Sequence, residues 1–496
     1  PMTSHAPDRL DSPETPPPDR RSPVWAALRQ LLLRLHFYAG VLVAPFIAVA
    51  ALTGLLYAYA PQLEQVLYAD QLRVTPGDSA LPLQEQVDTA VAARPEGTLS
   101  AVRPGTAPDE STRVLLDVEG LPESYRLAVF VDPYNGEVLG ETTSYGSSGA
   151  LPVRSWLSEL HRHLHLGEFG RLYGELAASW LWVVALGGVV LWTARRRKAR
   201  RLRRTLLPEP SAKGRNRTMS WHGSLGIWAV AGLLMVSATG LTWSRFAGAN
   251  VTDMRVALGW TTPSLSAPAP SEHADHEEQA DHAEQADHAG HEDHGGHGDH
   301  ADHGAAGQDV DLDTVLASVH AAGIDGPMEI SVPVEEGAPF TVQGTGRSWP
   351  VHQDAAAVDA TSGEVVEELR FEDHPFVAKM ATWGIAFHMG LLFGLPNQLL
   401  LTGIALSALF LVFWGYRMWW LRRPTRDTAF AMGRPLAPRG TWRGLPWWCL
   451  ALVAAAAVGV GLFLPVFGVS LLAFLVVDAA LGLRRGRTRP ESVPKP

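Results

Sequence analysis

Four stretches of this chain, His36–Ala60, Tyr173–Thr193, His222–Trp243 and Leu395–Tyr416, are apolar over twenty residues or more. Crossing about 30 Å of hydrocarbon takes roughly 20 residues of helix. Within lipid, every backbone polar group must also be satisfied inside the segment. The four stretches therefore read as membrane-spanning helices. Two shorter runs, Leu445–Leu464 and Phe467–Leu483, meet at Leu464-Pro465 and read as a helical hairpin. Bulk composition conceals all this: 46% hydrophobic and 19% charged residues would suit a soluble protein.

Basic residues set the orientation. Arg20, Arg21, Arg29 and Arg34 precede the first span, and Arg195, Arg196, Arg197 and Lys198 follow the second. Arg417, Arg422 and Arg423 follow the fourth, and Arg484, Arg485, Arg487 and Arg489 follow the last. All fall on one side if the N-terminus is cytoplasmic and six helices cross. Ala58-Tyr59-Ala60 resembles a signal-cleavage site. The apolar run before it far exceeds the usual 7–15 residues, so an uncleaved anchor is expected.

The expected order starts with a disordered tail (1–27) and a first span (28–60), then an extracytoplasmic domain (61–150) and a second span with a preceding histidine segment (151–194). A basic cytoplasmic loop (195–218), a third span (219–245), a His/Asp-rich linker (246–309) and a second outer domain (310–373) follow. The fourth span with its histidine segment (374–420), a cytoplasmic loop (421–444), the hairpin (445–483) and a basic tail (484–496) complete the chain. The fold class is thus an α-helical polytopic membrane protein, a four-helix core plus hairpin, with two small extracytoplasmic α+β domains.

The net charge of -10 belongs to one segment. Between Ser271 and His303 there are eleven acidic residues and no Lys or Arg, so the remainder is close to neutral and gives no sign of a nucleic-acid partner. The one cysteine, Cys449, excludes an intramolecular disulfide, a C-x-x-C-H haem attachment and an all-cysteine iron–sulfur cluster. A redox cofactor would have to be held non-covalently, with histidine as its ligand.

The chain is duplicated. His36 stands seventeen residues before Thr53-Gly54-Leu55, and His222 seventeen before Thr239-Gly240-Leu241. His165-Leu-Gly167 with Gly170 echoes His388-Met-Gly390 with Gly394. Both outer loops pair an amphipathic helical pattern (Leu83, Val87, Ala90; Val315, Leu316, Val319) with alternating segments and an Asp-x-x-x-Gly-Glu-Val turn, at Asp132 and Asp359. Such turns suit a tight strand connection.

With Leu35-His36, Leu160-His161-Arg162, Gly167-Glu-Phe-Gly-Arg171, Trp221-His222, Phe387-His388-Met389-Gly390 and the two aspartate turns, the chain resembles the PepSY-associated transmembrane family over roughly residues 28–420. The resemblance implies two PepSY domains between four core helices. It also implies an association with iron and siderophore uptake, and some members resemble inner-membrane ferric-siderophore reductases carrying haem b. The histidine-rich insert and the last hairpin depart from the minimal pattern.

In this topology His36 and His222 lie at the cytoplasmic side, and His161, His163, His165 and His388 at the outer side. Two imidazoles from facing helices at one depth are what a six-coordinate b-type haem requires. Pairing His36 with His222, and His388 with His161 or His165, would hold two haems. The family pattern favours His161. The internal repeat favours His165, because Gly384 stands where a partner for His161 would be. The expected activity is reduction of an extracytoplasmic ferric chelate, a ferric siderophore, in a bacterial cytoplasmic membrane.

The tract carrying His273, His276, His282, His288, His291, His294, His297, His300 and His303 among acidic residues is a candidate site for divalent metal. A non-redox Zn or Cu capture protein, and a PepSY-type regulatory membrane protein, are the alternatives. No dinucleotide fingerprint, Walker A sequence or H-E-x-x-H is present. The electron donor is therefore expected to be a quinol or a separate cytoplasmic reductase.

Overall fold

The computed structural model describes residues 23–196, 203–266, 310–335, 337–422 and 440–487. The proline-rich start of the chain, the tract His273–His303, most of the loop 421–444 and the last nine residues lie outside them. Three helices are long and apolar enough to cross a membrane: α5 (Gly167–Arg196), α6 (Gly214–Thr242) and α10 (Leu395–Trp420). The fourth crossing is broken. Helices α1 (Pro23–Leu42) and α2 (Ala44–Tyr57) meet at 56°, so the span expected over His36–Ala60 takes the form of a bent pair.

Pro45 gives the physical reason. Proline has no N–H, so the carbonyl four residues earlier loses its helical partner. That carbonyl belongs to Val41, and it accepts instead from the Tyr416 hydroxyl at 2.7 Å. The break is thus satisfied by a side chain from α10, as apolar surroundings demand.

Helices α2, α5, α6 and α10 close a ring, α5 against α6, α6 against α10, α10 against α2, and α2 against α5. Small residues line their contacts: Ala58, Ala177, Ser179, Ala229, Ser237 and Ala408 are buried, and Ser237 Oγ donates to the Ala178 carbonyl at 2.8 Å. With no hydrophobic drive between helices in lipid, close packing of small residues and such bonds do the joining. The hairpin, α11 (Trp447–Phe463) and α12 (Pro465–Arg487), leans on the outside of this ring. Trp180 Nε1 donates to Ser470 Oγ at 2.9 Å, Arg34 pairs with Asp478, and the helix that follows α6, α7 (Arg245–Ala257), packs on α12.

Beyond one end of the ring lies a single antiparallel sheet of eight strands. Its first half is β1 (Thr98–Arg103), β2 (Thr112–Asp117), β3 (Tyr125–Val131) and β4 (Val138–Tyr145). Its second half is β5 (Met328–Ser331), β6 (Phe340–Gly344), β7 (Ala355–Val358) and β8 (Val365–Leu369). The order β4-β3-β2-β1-β5-β6-β7-β8 is palindromic about the β1–β5 pair, where Val102 faces Ile330. The two small α+β units expected from the sequence thus share one sheet. The edge strands of the two units pair, which leaves one sheet with one core.

That core follows from period-two alternation. Val102, Val114, Leu116, Val129, Ile330 and Val342 share one face, which packs on α3 (Leu83–Ala93) and α8 (Leu312–Ala321). The two helices also cap each other. Asp313 of α8 accepts from the Leu83 and Gln84 N–H groups at 2.7 and 3.0 Å, and Gln84 of α3 accepts from Leu312 N at 3.3 Å. Free N–H groups at a helix start need such partners, and each unit takes its partner from the other. The aspartate turns connect β3 to β4 and β7 to β8. Asp132 accepts from Tyr134 N and Asp359 from Thr361 N, with Gly136 and Gly363 at φ 70° and 72°.

Candidate functional site

Two short helices lie between the sheet and the spans, α4 (Pro152–His163) before α5 and α9 (Phe376–His388) before α10. Each ends in a turn that passes through a glycine in the left-handed region, Gly167 at φ 53° and Gly394 at φ 57°. A side chain would be strained there. These turns bring His161 and His388 together, with ring centroids 6.2 Å apart.

The orientation of both imidazoles can be read from their partners. Thr53 Oγ1 gives its hydrogen to the helix carbonyls of Val49 and Ala50 at 2.9 and 3.2 Å. It lies 2.9 Å from His161 Nδ1, and a hydroxyl has one hydrogen, so here it accepts and His161 Nδ1–H donates. Thr239 repeats the arrangement. Its Oγ1 donates to the Met235 carbonyl at 2.8 Å and accepts from His388 Nδ1 at 2.6 Å. In both rings this leaves the Nε2 lone pair unprotonated. Fixing the far nitrogen of an imidazole to a hydrogen-bond acceptor is the usual support for a metal-ligating histidine.

A second pair lies further from the sheet. His36 on α1 and His222 on α6 have ring centroids 6.5 Å apart, and His36 Nδ1 donates to the Val184 carbonyl at 3.0 Å. On the unbroken helix α6, His222 and Thr239 are seventeen residues apart, so the two pairs are separated by about 25 Å along the helix. Glycines make room for the rings. A Cβ at Gly54 would come within 3.0 Å of His161 Cε1, and one at Gly188 within 3.1 Å of His36 Cε1.

Metal–imidazole bonds are about 2 Å long, so two imidazoles on opposite sides of one ion have centroids about 6 Å apart. Both pairs meet that spacing. Each offers two ligands, and among the described residues no group of three or more His, Cys, Asp or Glu side chains could hold an ion. Two imidazole nitrogens at this spacing are a donor set that an ion with its other ligands in a macrocycle can take.

His165, weighed from sequence as the alternative to His161, points elsewhere. Its Nε2 bonds the Trp156 carbonyl at 3.1 Å, its Nδ1 lies 3.3 Å from Glu159, and its ring rests on Trp156. The reason is local: α4 runs two residues past His161, and Leu164 and His165 then turn back at φ 56° and 53°. The matching register was present in the sequence. Asp132 and Asp359, His161 and His388, and Gly167 and Gly394 are all 227 residues apart. The nine histidines His273 to His303 lie outside the described residues.

Around His161 and His388, from between the spans up to the sheet, lies a cavity of about 850 Å³ that both histidines line. Its walls between the spans are apolar, with Ile47, Ala51, Leu181, Leu401 and Ile404 among them. Its roof includes Tyr145 and Gln343 of the sheet and Thr345 and Arg347 just after β6. Arg126 on β3 and Arg103 on β1 both reach Glu329 on β5, at 3.0 and 2.6 Å. Burial alone would push the Glu329 carboxyl up, but the two guanidinium groups outweigh it and hold it below the usual glutamate range. Sequence reading assigned no role to these residues, to the buried His374 that also lines the cavity, or to Thr53 and Thr239, which served only as markers of the repeat.

Fold and site together define a multi-pass helical membrane protein with an internal two-fold repeat, a fused sheet on one side, and two histidine pairs stacked between its halves. The PepSY-associated TM region pattern matches residues 33–422, and the chain belongs to that family. No curated protein matches the sequence.

Proposed function

We propose that the protein is a b-type haem membrane reductase that passes electrons across a bacterial cytoplasmic membrane to a ferric chelate, a ferric siderophore, outside. The observation that carries this reading is the geometry of the histidines. Two pairs at ligand spacing are stacked across the bundle, and the two rings nearer the sheet are locked with Nε2 free. In the proposed topology the N-terminus is cytoplasmic and the sheet extracytoplasmic.

Haem bound at each pair would supply one-electron redox chemistry. The chain's own residues do the rest. His36 and His222 would hold the inner group, and His161 and His388 the outer one. Thr53 and Thr239 fix the outer tautomers, and the apolar walls exclude water from the path. The sheet-side part of the cavity around His161 and His388 would receive the chelate. There Fe(III) takes up one electron and becomes Fe(II), which oxygen chelators hold less tightly. A quinol, losing two electrons and two protons over two such events, or a separate cytoplasmic reductase, is the proposed donor.

The purified protein, expressed with haem supplied, is expected to show a reducible b-type Soret band that reoxidises on addition of a ferric siderophore. A protein without that band would overturn the reading. The threonines allow a finer test. Replacing Thr53 and Thr239 by valine is expected to weaken haem binding at the outer site by about 10–100-fold, the usual cost of losing such a support. The inner site should be unchanged and serves as the internal control in a haem titration.

A further inference from the structure

We propose, resting on the haem reading of the inner histidine pair, that Arg29 and Arg215 hold the two propionates of that haem, one arginine from each copy of the repeat. Arg29 stands seven residues before His36 on α1, and Arg215 seven before His222 on α6. Seven residues make two helical turns to within about 20°. Each arginine therefore shares a face with its histidine, about 10 Å nearer the end of the bundle away from the sheet. Arg29 and Arg215 are 186 residues apart, as are His36 and His222, so the duplication carries the arginine along with the ligand.

Arginines at a membrane face commonly stretch their charged ends into water. Here the Nε atoms of both Arg29 and Arg215 are buried, and neither finds an acceptor among the described residues. A buried donor left unpaired is costly, and an arriving anion lifts that cost. The charged neighbours of Arg215 among the described residues are themselves cations, Arg195 and Arg422. Arg422 lies over the ring of Phe37, the residue after His36, at 4.8 Å, and its Nε is likewise buried without a partner. Guanidinium groups stay charged throughout the physiological range, so this end of the inner site calls for a counter-charge.

A b-type haem brings two carboxylates on one edge of its ring. The line joining the two imidazoles runs across the bundle from α1 to α6, so a ring held between them stands parallel to the helices. Its carboxylates avoid the apolar middle of the bundle and turn to the arginine end, two helical turns from the ligands. Two guanidinium groups facing two carboxylates give the short, charge-assisted and forked bonds that arginine forms best.

The test uses full-length protein prepared without haem, titrated in neutral detergent with haem b or with its dimethyl ester, which lacks the two charges, and followed by the Soret band. His222→Ala, keeping only the outer pair, identifies the inner step. Arg29→Gln and Arg215→Gln are each expected to weaken haem b at the inner site by about tenfold, to leave the outer site unchanged, and to leave binding of the ester unaffected. The lysine variants should retain most of the affinity, and wild type should hold the ester about 100-fold less tightly than haem b at the inner site, the two losses combined. Equal affinity of wild type for haem b and ester there, or glutamine variants that bind haem b normally or weaken both ligands alike, would overturn the proposal. So would a loss seen only when phosphatidylglycerol is added, which would assign the arginines to anionic lipid. If the glutamine variants fail to accumulate, the wild-type comparison of haem b with its ester decides. A wild-type protein that takes up no haem at either pair sinks the reductase reading, whereas one that takes up haem b and ester alike sinks only the propionate contact.

Discussion

Alanine in place of His161 or His388 is expected to cost the protein one of two haems, and alanine in place of His36 or His222 the other. Each pair offers two ligands at 6.2 or 6.5 Å between ring centres. At the sheet side His165 is committed to Trp156 and Glu159. His165→Ala should accordingly keep both. Haem per polypeptide, measured as the pyridine haemochrome, reads the result directly. A protein that loses haem with His165→Ala and keeps it with His161→Ala would refute the pairing. The inner and outer variants should also differ in kind. Loss of the outer haem leaves a protein still reducible from the donor side, and loss of the inner haem leaves one that is not.

The second large effect lies in the sheet. Removing the Glu329 carboxylate leaves Arg103 and Arg126 facing each other in a largely buried site, and breaking a buried ion group in this way costs about 3–5 kcal/mol. Glu329→Ala is expected to lower the unfolding midpoint of the sheet markedly, measured by tryptophan fluorescence in detergent. The same group makes stability depend on pH. Its carboxyl lies below the usual glutamate value in the folded protein. The unfolded chain therefore binds the proton more tightly, and the stabilising contribution is complete above the ordinary glutamate range. It fades as pH falls through that range towards the folded value. Wild type should lose stability on acidification more steeply than Glu329→Gln. Parallel pH profiles for the two proteins would show that the carboxylate is not what joins the strands.

The spans and the duplication were legible because they rest on long, periodic signals: twenty apolar residues, or a histidine seventeen before a threonine. The break at Val43 was also written in the sequence, since Pro45 sits where a helix cannot donate, but a run of apolar residues alone conceals it. The choice between His161 and His165 depended on whether α4 and α9 end at the same point relative to their histidines. They do not. The 227-residue register pairs His161 with His388, the two rings that the structure brings together, whereas the short His-x-Gly echo that favoured His165 pairs residues at different distances from their helix ends. The fused sheet had no local signal at all. The pairing of β1 with β5 joins residues more than two hundred positions apart, and the alternation of either strand is satisfied whether or not the other is present.

That pairing bears on how the chain can be made. When the first unit is complete, the outer edge of β1 has no neighbour, the start of α3 lacks the carboxylate of Asp313, and the charge on Arg103 and Arg126 lacks Glu329. An unpaired edge strand invites pairing with any other chain. Two further membrane crossings and the acidic tract must be synthesised before the missing pieces arrive. Residues 61–150 expressed alone should therefore behave as a half-finished object, prone to self-association. The natural protein has to shield this half during synthesis until its twin emerges, which makes insertion of the third span the step that commits the fold.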